Sequence, residues 1–239
     1  MQAQTEMKRF YKKATAEKEG GIFSVHLDGR VIKTPAKAHL HLPTKALAEA
    51  IAEEWDTQEE DINPASMLLM QAAATAIDRV TPQREKVIEE IAAYGGTDLV
   101  CYRATYPLGL VEKQSAAWDP MLEWVEARHG VHLETCQGII HISQSDDALS
   151  KMQTIVAAQN DMTLAPLYNI TSLCGSLVIA LATLDGYITA EEAFEISELD
   201  ETHVMENWGS DAEAVDRRNK NKESLAASVR FLNLSGVIA

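Results

Sequence analysis

Residues 189–218, TAEEAFEISELDETHVMENWGSDAEAVDRR, are the stretch on which the interpretation of this sequence depends. Between positions 191 and 216 the stretch contains ten carboxylates and no Lys or Arg. A tryptophan followed by a glycine interrupts the acidic residues. Carboxylates concentrated around an aromatic side chain are typical either of a solvated face or of a surface that binds a basic partner. We call this feature the acidic corner and define it by Glu201, Glu206, Trp208, Asp211 and Glu213.

Two capping patterns divide the stretch into helices. Thr189 is followed three positions later by Glu192, and Ser210 is followed in the same way by Glu213. At this spacing the hydroxyl can accept a hydrogen bond from the backbone N–H of the acidic residue, and the carboxylate can accept one from the backbone N–H of the hydroxyl residue. This arrangement is the capping box at the start of a helix. The pattern therefore predicts two helices that meet at residues 208–210.

The segment upstream of the corner predicts a mostly helical body. Apolar residues recur at helical spacing in several segments, with Thr44 and Ser145 at the start of two of them and Gly130 at the end of another. Residues 163–184 are the most apolar part of the chain and predict one central helix that is buried on all sides. In total the periodicity predicts about seven helices. The segments VHLETC and GIIHIS, on either side of position 138, predict a β-hairpin near residues 131–143.

The first part of the chain has the alternation of a half-buried sheet. Phe23, Val25 and Leu27 alternate with polar residues, and Asp28-Gly29 is a turn pair typical of hairpins. The expected fold class is therefore α+β. A small β-rich N-terminal lobe, residues 1–43, is expected to pack on a mainly helical domain, residues 44–239.

Three histidines, His26, His39 and His41, fall on the polar side of the predicted strands. We interpret them as a solvated face, because no carboxylate or cysteine at ligand spacing accompanies them.

Composition limits the classes of partner. The apolar fraction of 46% is sufficient for a globular core, and the three unpaired cysteines indicate reduced, structural thiols. A net charge of -15 disfavours binding to nucleic acid. The first 20 residues lack the apolar core of a signal peptide, and no apolar run is long enough to insert into a membrane. A soluble, intracellular protein is expected.

Motifs for common enzyme chemistry are absent from the sequence. It contains no GxSxG, GxxxxGK[ST] or GxGxxG, so neither a nucleophile elbow nor a nucleotide loop is predicted. One enzyme hypothesis stays open, a di-metal carboxylate bundle built on the steps Glu126–His129 and Asp200–His203. Its remaining ligands would come from Glu53, Glu54, Glu89 and Glu90.

A set of motifs in a fixed order gives the chain a likeness to a known family. The motifs are Phe10-Tyr11-Lys12, Leu27-Asp28-Gly29-Arg30, Lys33-Thr34-Pro35, Glu54-Trp55 with Gln58, Thr75-Ala76-Ile77-Asp78, Thr97-Asp98, Cys101-Tyr102-Arg103-Ala104, Trp118-Asp119-Pro120, and Leu199-Asp200-Glu201 with Glu206, Trp208-Gly209, Asp211 and Glu213. Over residues 8–231 the chain resembles the ATP synthase assembly chaperones that act on the alpha subunit. It departs from that pattern at Leu68, where a proline is usual, and at Val204, where a glutamine is usual.

The resemblance implies a function without catalysis. Such a chaperone binds the unassembled alpha subunit of the F-type ATP synthase, prevents its aggregation, and releases it when the beta subunit takes the same surface. No cofactor and no nucleotide are expected. The compartment implied is the bacterial cytoplasm, or the mitochondrial matrix for a processed eukaryotic chain.

The role of the acidic corner stays open between two interpretations. Its carboxylates could serve only helix capping and solubility. Alternatively Glu201, Glu206, Trp208, Asp211 and Glu213 form the contact with the alpha subunit. Capping needs one or two carboxylates and the stretch has ten, which is the reason to consider the second interpretation.

Overall fold

The computed structural model describes residues 7–238, so the first six residues of the predicted lobe lie outside the described part. Within it the lobe contains a small antiparallel sheet, as predicted. Its strands are β1 (Met7–Lys8), β2 (Ala14–Glu19), β3 (Ile22–Leu27) and β4 (Arg30–Val31), and a fifth strand, β5 (Asp61–Ile62), lies beyond the predicted boundary of the lobe. Strands β2, β3 and β4 form one antiparallel sheet, and β1 pairs with β5. The β3–β4 connection is the predicted turn at positions 28 and 29, because Leu27 pairs with Arg30.

The interpretation of the three histidines as one solvated face is wrong for His26. Its side chain is buried, and its Nε2 lies 2.9 Å from the hydroxyl of Ser24, which satisfies the ring inside the lobe. His39 and His41 are exposed and stack on each other, with ring centroids 5.5 Å apart. The three rings therefore do not share a face.

Helices make up most of the described chain that follows, which confirms the α+β class. They are α1 (Lys45–Asp56), α2 (Leu68–Thr75), α3 (Arg84–Ala93), α4 (Leu108–His129), α5 (Asp146–Ala157), α6 (Asp161–Cys174), α7 (Leu177–Leu184), α8 (Ala190–Ser197), α9 (Leu199–Trp208) and α10 (Ala212–Leu234). Thr44 and Ser145 cap α1 and α5, and Gly130 ends α4 in the left-handed conformation, as predicted. None of the helices in residues 7–238 combines the length and the apolar character that a bilayer crossing requires.

The single helix predicted over residues 163–184 is two helices. Gly175 adopts a φ of 63° and ends α6, and the hydroxyl of Ser176 accepts a hydrogen bond from the Ile179 amide to begin α7. Glycine takes this left-handed conformation without the steric cost that a side chain brings. All eight residues of α7 are buried, so the prediction of burial on all sides holds for this part.

The predicted hairpin near residues 131–143 is also wrong. Strand β7 (Cys136–Gln137) pairs in parallel with β6 (Tyr102–Arg103), which lies much earlier in the chain. Gln144 takes the place that an opposite strand would have, because its amide accepts from the Glu134 N–H (2.8 Å) and donates to the Glu134 carbonyl (2.9 Å). A side chain therefore satisfies the backbone groups that the hairpin was expected to pair.

Two clusters of buried residues stabilise the fold. The first combines the lobe strands with α1, α2 and Phe231 of α10. The second is formed by the helices from α3 to α8 together with the rest of α10. The lobe thus shares its core with two helices, and a division of the chain at Pro43 stays a prediction. A 2.6 Å hydrogen bond from the Thr34 hydroxyl to the Asp78 carboxylate attaches a loop of the lobe to the helical turn that follows α2.

Candidate partner-binding site

The acidic corner is formed by α9 and by the first turn of α10. Helix α9 has no buried residue, which is unusual because most helices in globular proteins bury an apolar stripe. The side chain of Trp208 at its end is 83% exposed. Half of its residues are exposed and the others are partly exposed, so the corner is accessible in the described structure.

One of the two predicted capping boxes is present. The hydroxyl of Thr189 accepts from the Glu192 N–H (3.2 Å), and the Glu192 carboxylate accepts from the Thr189 N–H (2.7 Å). The box predicted at Ser210 and Glu213 is wrong. Asp211 begins α10 instead, and its carboxylate accepts from the Ala214 N–H at 2.7 Å.

This correction exchanges the roles of two corner residues. Asp211 has a structural task as the N-cap of a helix of 23 residues. Glu213 lies exposed in the first turn, where its charge favours the helix dipole but caps no amide. Residues 189–218 also contain parts of three helices and not the predicted two, since a break at Glu198 separates α8 from α9.

Basic side chains from other elements reduce the charge of the corner. Lys113 of α4 lies 3.0 Å from Glu206, and Arg217 of α10 lies 3.8 Å from Glu201. These side chains are about half exposed, so each ion pair contributes little to stability. Within residues 7–238, Asp211 and Glu213 have no basic side chain at ion-pair distance.

The half-buried side chain of Arg218 contacts α8, α9 and the residue between them. Its guanidinium donates to the Thr202 hydroxyl at 2.6 Å and lies 3.6 Å from the carboxylate of Glu198. The same group sits over the ring of Phe194, 5.4 Å from its centroid. Burial raises the pKa of Glu198, and the nearby Arg218 opposes that shift. A half-buried cation thus holds α8, α9 and α10 together, and the exposed acids are displayed on a fixed frame.

Three hydrogen bonds attach this frame to α4. They join Trp118 Nε1 to the Ile196 carbonyl (2.9 Å), Gln114 Nε2 to Asp200 Oδ1 (2.7 Å) and Lys113 Nζ to Glu206 Oε2 (3.0 Å). The α4 residues 118, 114 and 113 bind residues 196, 200 and 206 in that order, so α4 runs in the opposite direction to α8 and α9. The first turn of α4 and the last turn of α9 therefore lie at the same end.

The di-metal hypothesis is not supported by the structure. Glu126 contacts His132 (3.2 Å) instead of sharing a site with His129, and Asp200 is bound to a glutamine. Among residues 7–238, no three His, Cys, Asp or Glu side chains come together in a way that could hold a metal ion. Glu54, one of the candidate single ligands, accepts hydrogen bonds from two backbone amides at the start of α2.

Several motif residues have structural rather than binding tasks. Asp98 is fully buried and accepts from the Val178 N–H at 3.0 Å, at the start of α7. Burial raises the pKa of this carboxyl to about 6, and its hydrogen bonds oppose the shift. Burial likewise raises the pKa of the Cys101 and Cys174 thiols to about 12, as expected for structural thiols. Cys136 is only half-buried.

The chain resembles proteins of one family. A family model described as ATP12 chaperone protein matches residues 8–126. Protein atp12, mitochondrial, from Schizosaccharomyces pombe is 26% identical over 94% of this chain and 82% of its own length. The crystal structure of Atp12 from Paracoccus denitrificans superposes with a TM-score of 0.91 and 38% identity, over 95% of this chain and 98% of that one. A mutant of the same P. denitrificans protein gives a TM-score of 0.91 and 38% identity, over 95% and 97% of the two chains.

Proposed function

Since this chain belongs to the ATP12 family of ATP synthase assembly chaperones, we propose that it binds the free alpha subunit of the F-type ATP synthase. The bound subunit is protected from aggregation until the beta subunit replaces the chaperone. The exchange needs no catalysis, no cofactor and no nucleotide. The chaperone acts where the catalytic sector is assembled, which is the bacterial cytoplasm or the mitochondrial matrix.

The observation that supports a binding role best is the exposure of Trp208. A tryptophan that is 83% exposed leaves a large apolar area in water, where burial against a partner would be favourable. Tryptophan is enriched among the residues that dominate binding energy at interfaces. Four carboxylates lie within seven positions of it in the sequence, and they are suited to a partner surface that carries Lys or Arg.

The corner residues have different parts in this proposal. Trp208 is the apolar anchor, while Glu213 and Glu206 supply charges that face the partner, although Lys113 partly neutralises Glu206. Asp211 acts mainly by fixing the start of α10, and Glu201 contributes a charge that Arg217 partly neutralises. We therefore expect the strongest binding loss at Trp208, and smaller losses at Glu206 and Glu213.

The test is binding to the alpha and beta subunits offered separately. Light scattering of the free alpha subunit at raised temperature should be suppressed by the wild-type chain and not by Trp208→Ala. Phe10→Ala is a matched control, because Phe10 is also a highly exposed aromatic residue, 69% exposed, but belongs to the N-terminal lobe. If the wild-type chain bound the beta subunit and not the alpha subunit, the choice of partner would be contradicted. Full protection by Trp208→Ala would move the binding surface away from the corner.

A further inference from the structure

Five large apolar side chains are more exposed than any others in residues 7–238. They are Ile139 (99%), Trp208 (83%), Tyr106 (79%), Ile140 (79%) and Leu108 (75%). Single exposed apolar residues are ordinary, but several together are typical of a binding surface. Trp208 already belongs to the acidic corner. We call the other four, Tyr106, Leu108, Ile139 and Ile140, the apolar rim.

The four rim residues lie on two segments that follow the neighbouring strands of one small sheet. Strands β6 and β7 are parallel, so the segments that follow them leave at the same end. Tyr106 and Leu108 follow β6, and the two isoleucines follow β7. Beyond the last strand pair, the Gly138 N–H still donates to the Arg103 carbonyl at 2.8 Å.

Further hydrogen bonds fix the isoleucine segment. The Cys136 thiol donates to the Ile140 carbonyl at a Sγ–O distance of 3.3 Å. The hydroxyl of Tyr102 lies 3.1 Å from Nδ1 of His141. The backbone is thus held on both sides of the isoleucines while their side chains point into solvent, which is the arrangement of a preformed contact surface.

The direction of α4 relates the apolar rim to the acidic corner. Leu108 is the first residue of α4, and the opposite course of α4 and α9 places that first turn at the end where Trp208 lies. The buried side chain of Gln114 links the segment between β6 and Tyr106 to the first turn of α9. Its amide accepts from the Ala104 N–H and donates to Asp200, both at 2.7 Å. The rim and the corner therefore lie at the same end of the α4–α9 pair.

The charge next to the rim indicates which partner fits it. The corner supplies exposed carboxylates, and the whole chain carries a net charge of -15. A second copy of the chain would bring like charges together, which is unfavourable. An apolar segment with Lys or Arg on its flanks would bury the four rim side chains and pair with the acids beside them.

We propose that the apolar rim extends the partner site at the acidic corner and binds an apolar segment, flanked by basic residues, of the unassembled partner subunit. The identity of that subunit rests on the proposed function, whereas the chemistry of the segment does not. The rim supplies apolar contact area, and the corner supplies charge that orients the segment and selects against acidic ones.

The first arm of the test uses a synthetic peptide and needs no ATP synthase subunit. A fluorescent peptide with leucines at its centre and lysines on both flanks is compared with one that has glutamates on the flanks. The wild-type chain should bind the lysine peptide and not the glutamate peptide. Ile139→Ser combined with Ile140→Ser should weaken binding by about tenfold or more, since the loss of two anchors is expected to exceed 1.4 kcal/mol.

A matched double variant controls for the loss of surface apolar area in general. Ile22→Ser with Val31→Ser makes the same kind of change in the N-terminal lobe, where both side chains are 42% exposed. It should bind the lysine peptide within about twofold of the wild type, because substitutions outside an interface seldom change its affinity. An equal loss in both double variants would overturn the assignment to the rim.

The second arm separates this inference from the proposed function. If the isoleucine variant binds the alpha subunit as tightly as the wild type does, the inference is overturned and the proposed function stands. If the wild type binds the lysine peptide through the isoleucines but does not bind the alpha subunit, the proposed function fails and the surface chemistry stands. A wild-type dimer that the isoleucine variant abolishes, seen by sedimentation, would make the rim a self-interface and overturn the inference.

Discussion

The ion pair between Lys113 and Glu206 allows a test that separates a partner contact from an internal one. Reversal of one charge, Glu206→Lys, removes the acid and also places two ammonium groups where the 3.0 Å pair was. The charge swap, Lys113→Glu with Glu206→Lys, restores the internal pair with its sign inverted. The single variant changes the internal ion pair and the contact with a partner. The swap changes only the contact with a partner.

The structure sets the size of the expected effects. The two side chains are 54% and 55% exposed, so solvent screens their interaction. Loss of such a pair costs less than about 1 kcal/mol, which for a chain of this length lowers the melting temperature by about 2–4 °C. At an interface with a basic partner, the same reversal replaces attraction by repulsion. We expect it to weaken binding by about 10- to 100-fold, that is about 1.4–2.8 kcal/mol.

Two measurements decide between the interpretations. Calorimetry should show the melting temperature of Glu206→Lys within a few degrees of wild type, and the swap should recover the difference. Affinity for the alpha subunit should fall in the single variant and stay low in the swap. Recovery of affinity by the swap would show that Glu206 acts only through Lys113. Unchanged affinity in the single variant would remove Glu206 from the contact.

Three further predictions concern stability and thiol chemistry. Asp211→Ala should lower the free energy of unfolding by about 1 kcal/mol, and Glu213→Ala by much less, because only Asp211 caps α10; equal losses in denaturant titrations would contradict this. Since the pKa of Asp98 rises from 3.8 in the unfolded chain to about 6 when folded, the native state holds the proton more tightly, and stability should fall as pH rises across that window. Unfolding curves of Asp98→Asn should lack that slope, and an identical slope in the variant would assign it to another group. A thiol reagent should modify Cys136 rapidly in the native chain and the two buried thiols only on unfolding; fast modification of a second thiol would refute the structural role.

Signals confined to a few neighbouring residues were sufficient to predict much of the fold. A hydroxyl at the start of an apolar periodic segment identified the caps at Thr44, Ser145 and Thr189. Alternation and the turn pair at positions 28 and 29 identified the β3–β4 connection. These features form from hydrogen bonds within about four residues, so the information is present in the local sequence.

Features that depend on distant residues were not predictable in the same way. The hairpin near residues 131–143 failed because the true partner of β7 lies more than 30 residues earlier, and Gln144 satisfies the backbone that the pattern assigned to a strand. The cap of α10 failed for a different reason. Ser210 and Asp211 are both good N-cap residues, and the sequence does not decide which of two adjacent candidates adopts the extended backbone.

The charge of the acidic corner shows how the two kinds of information combine. In sequence it is a run of ten carboxylates without a cation, which suggests binding by charge alone. In three dimensions Lys113 and Arg217 approach two of the acids, from 93 and 16 residues away along the chain. The local field is weaker than the sequence implies, and the corner also exposes the large apolar side chain of Trp208. Charge is therefore better suited to orienting a partner, and burial of apolar surface to holding it.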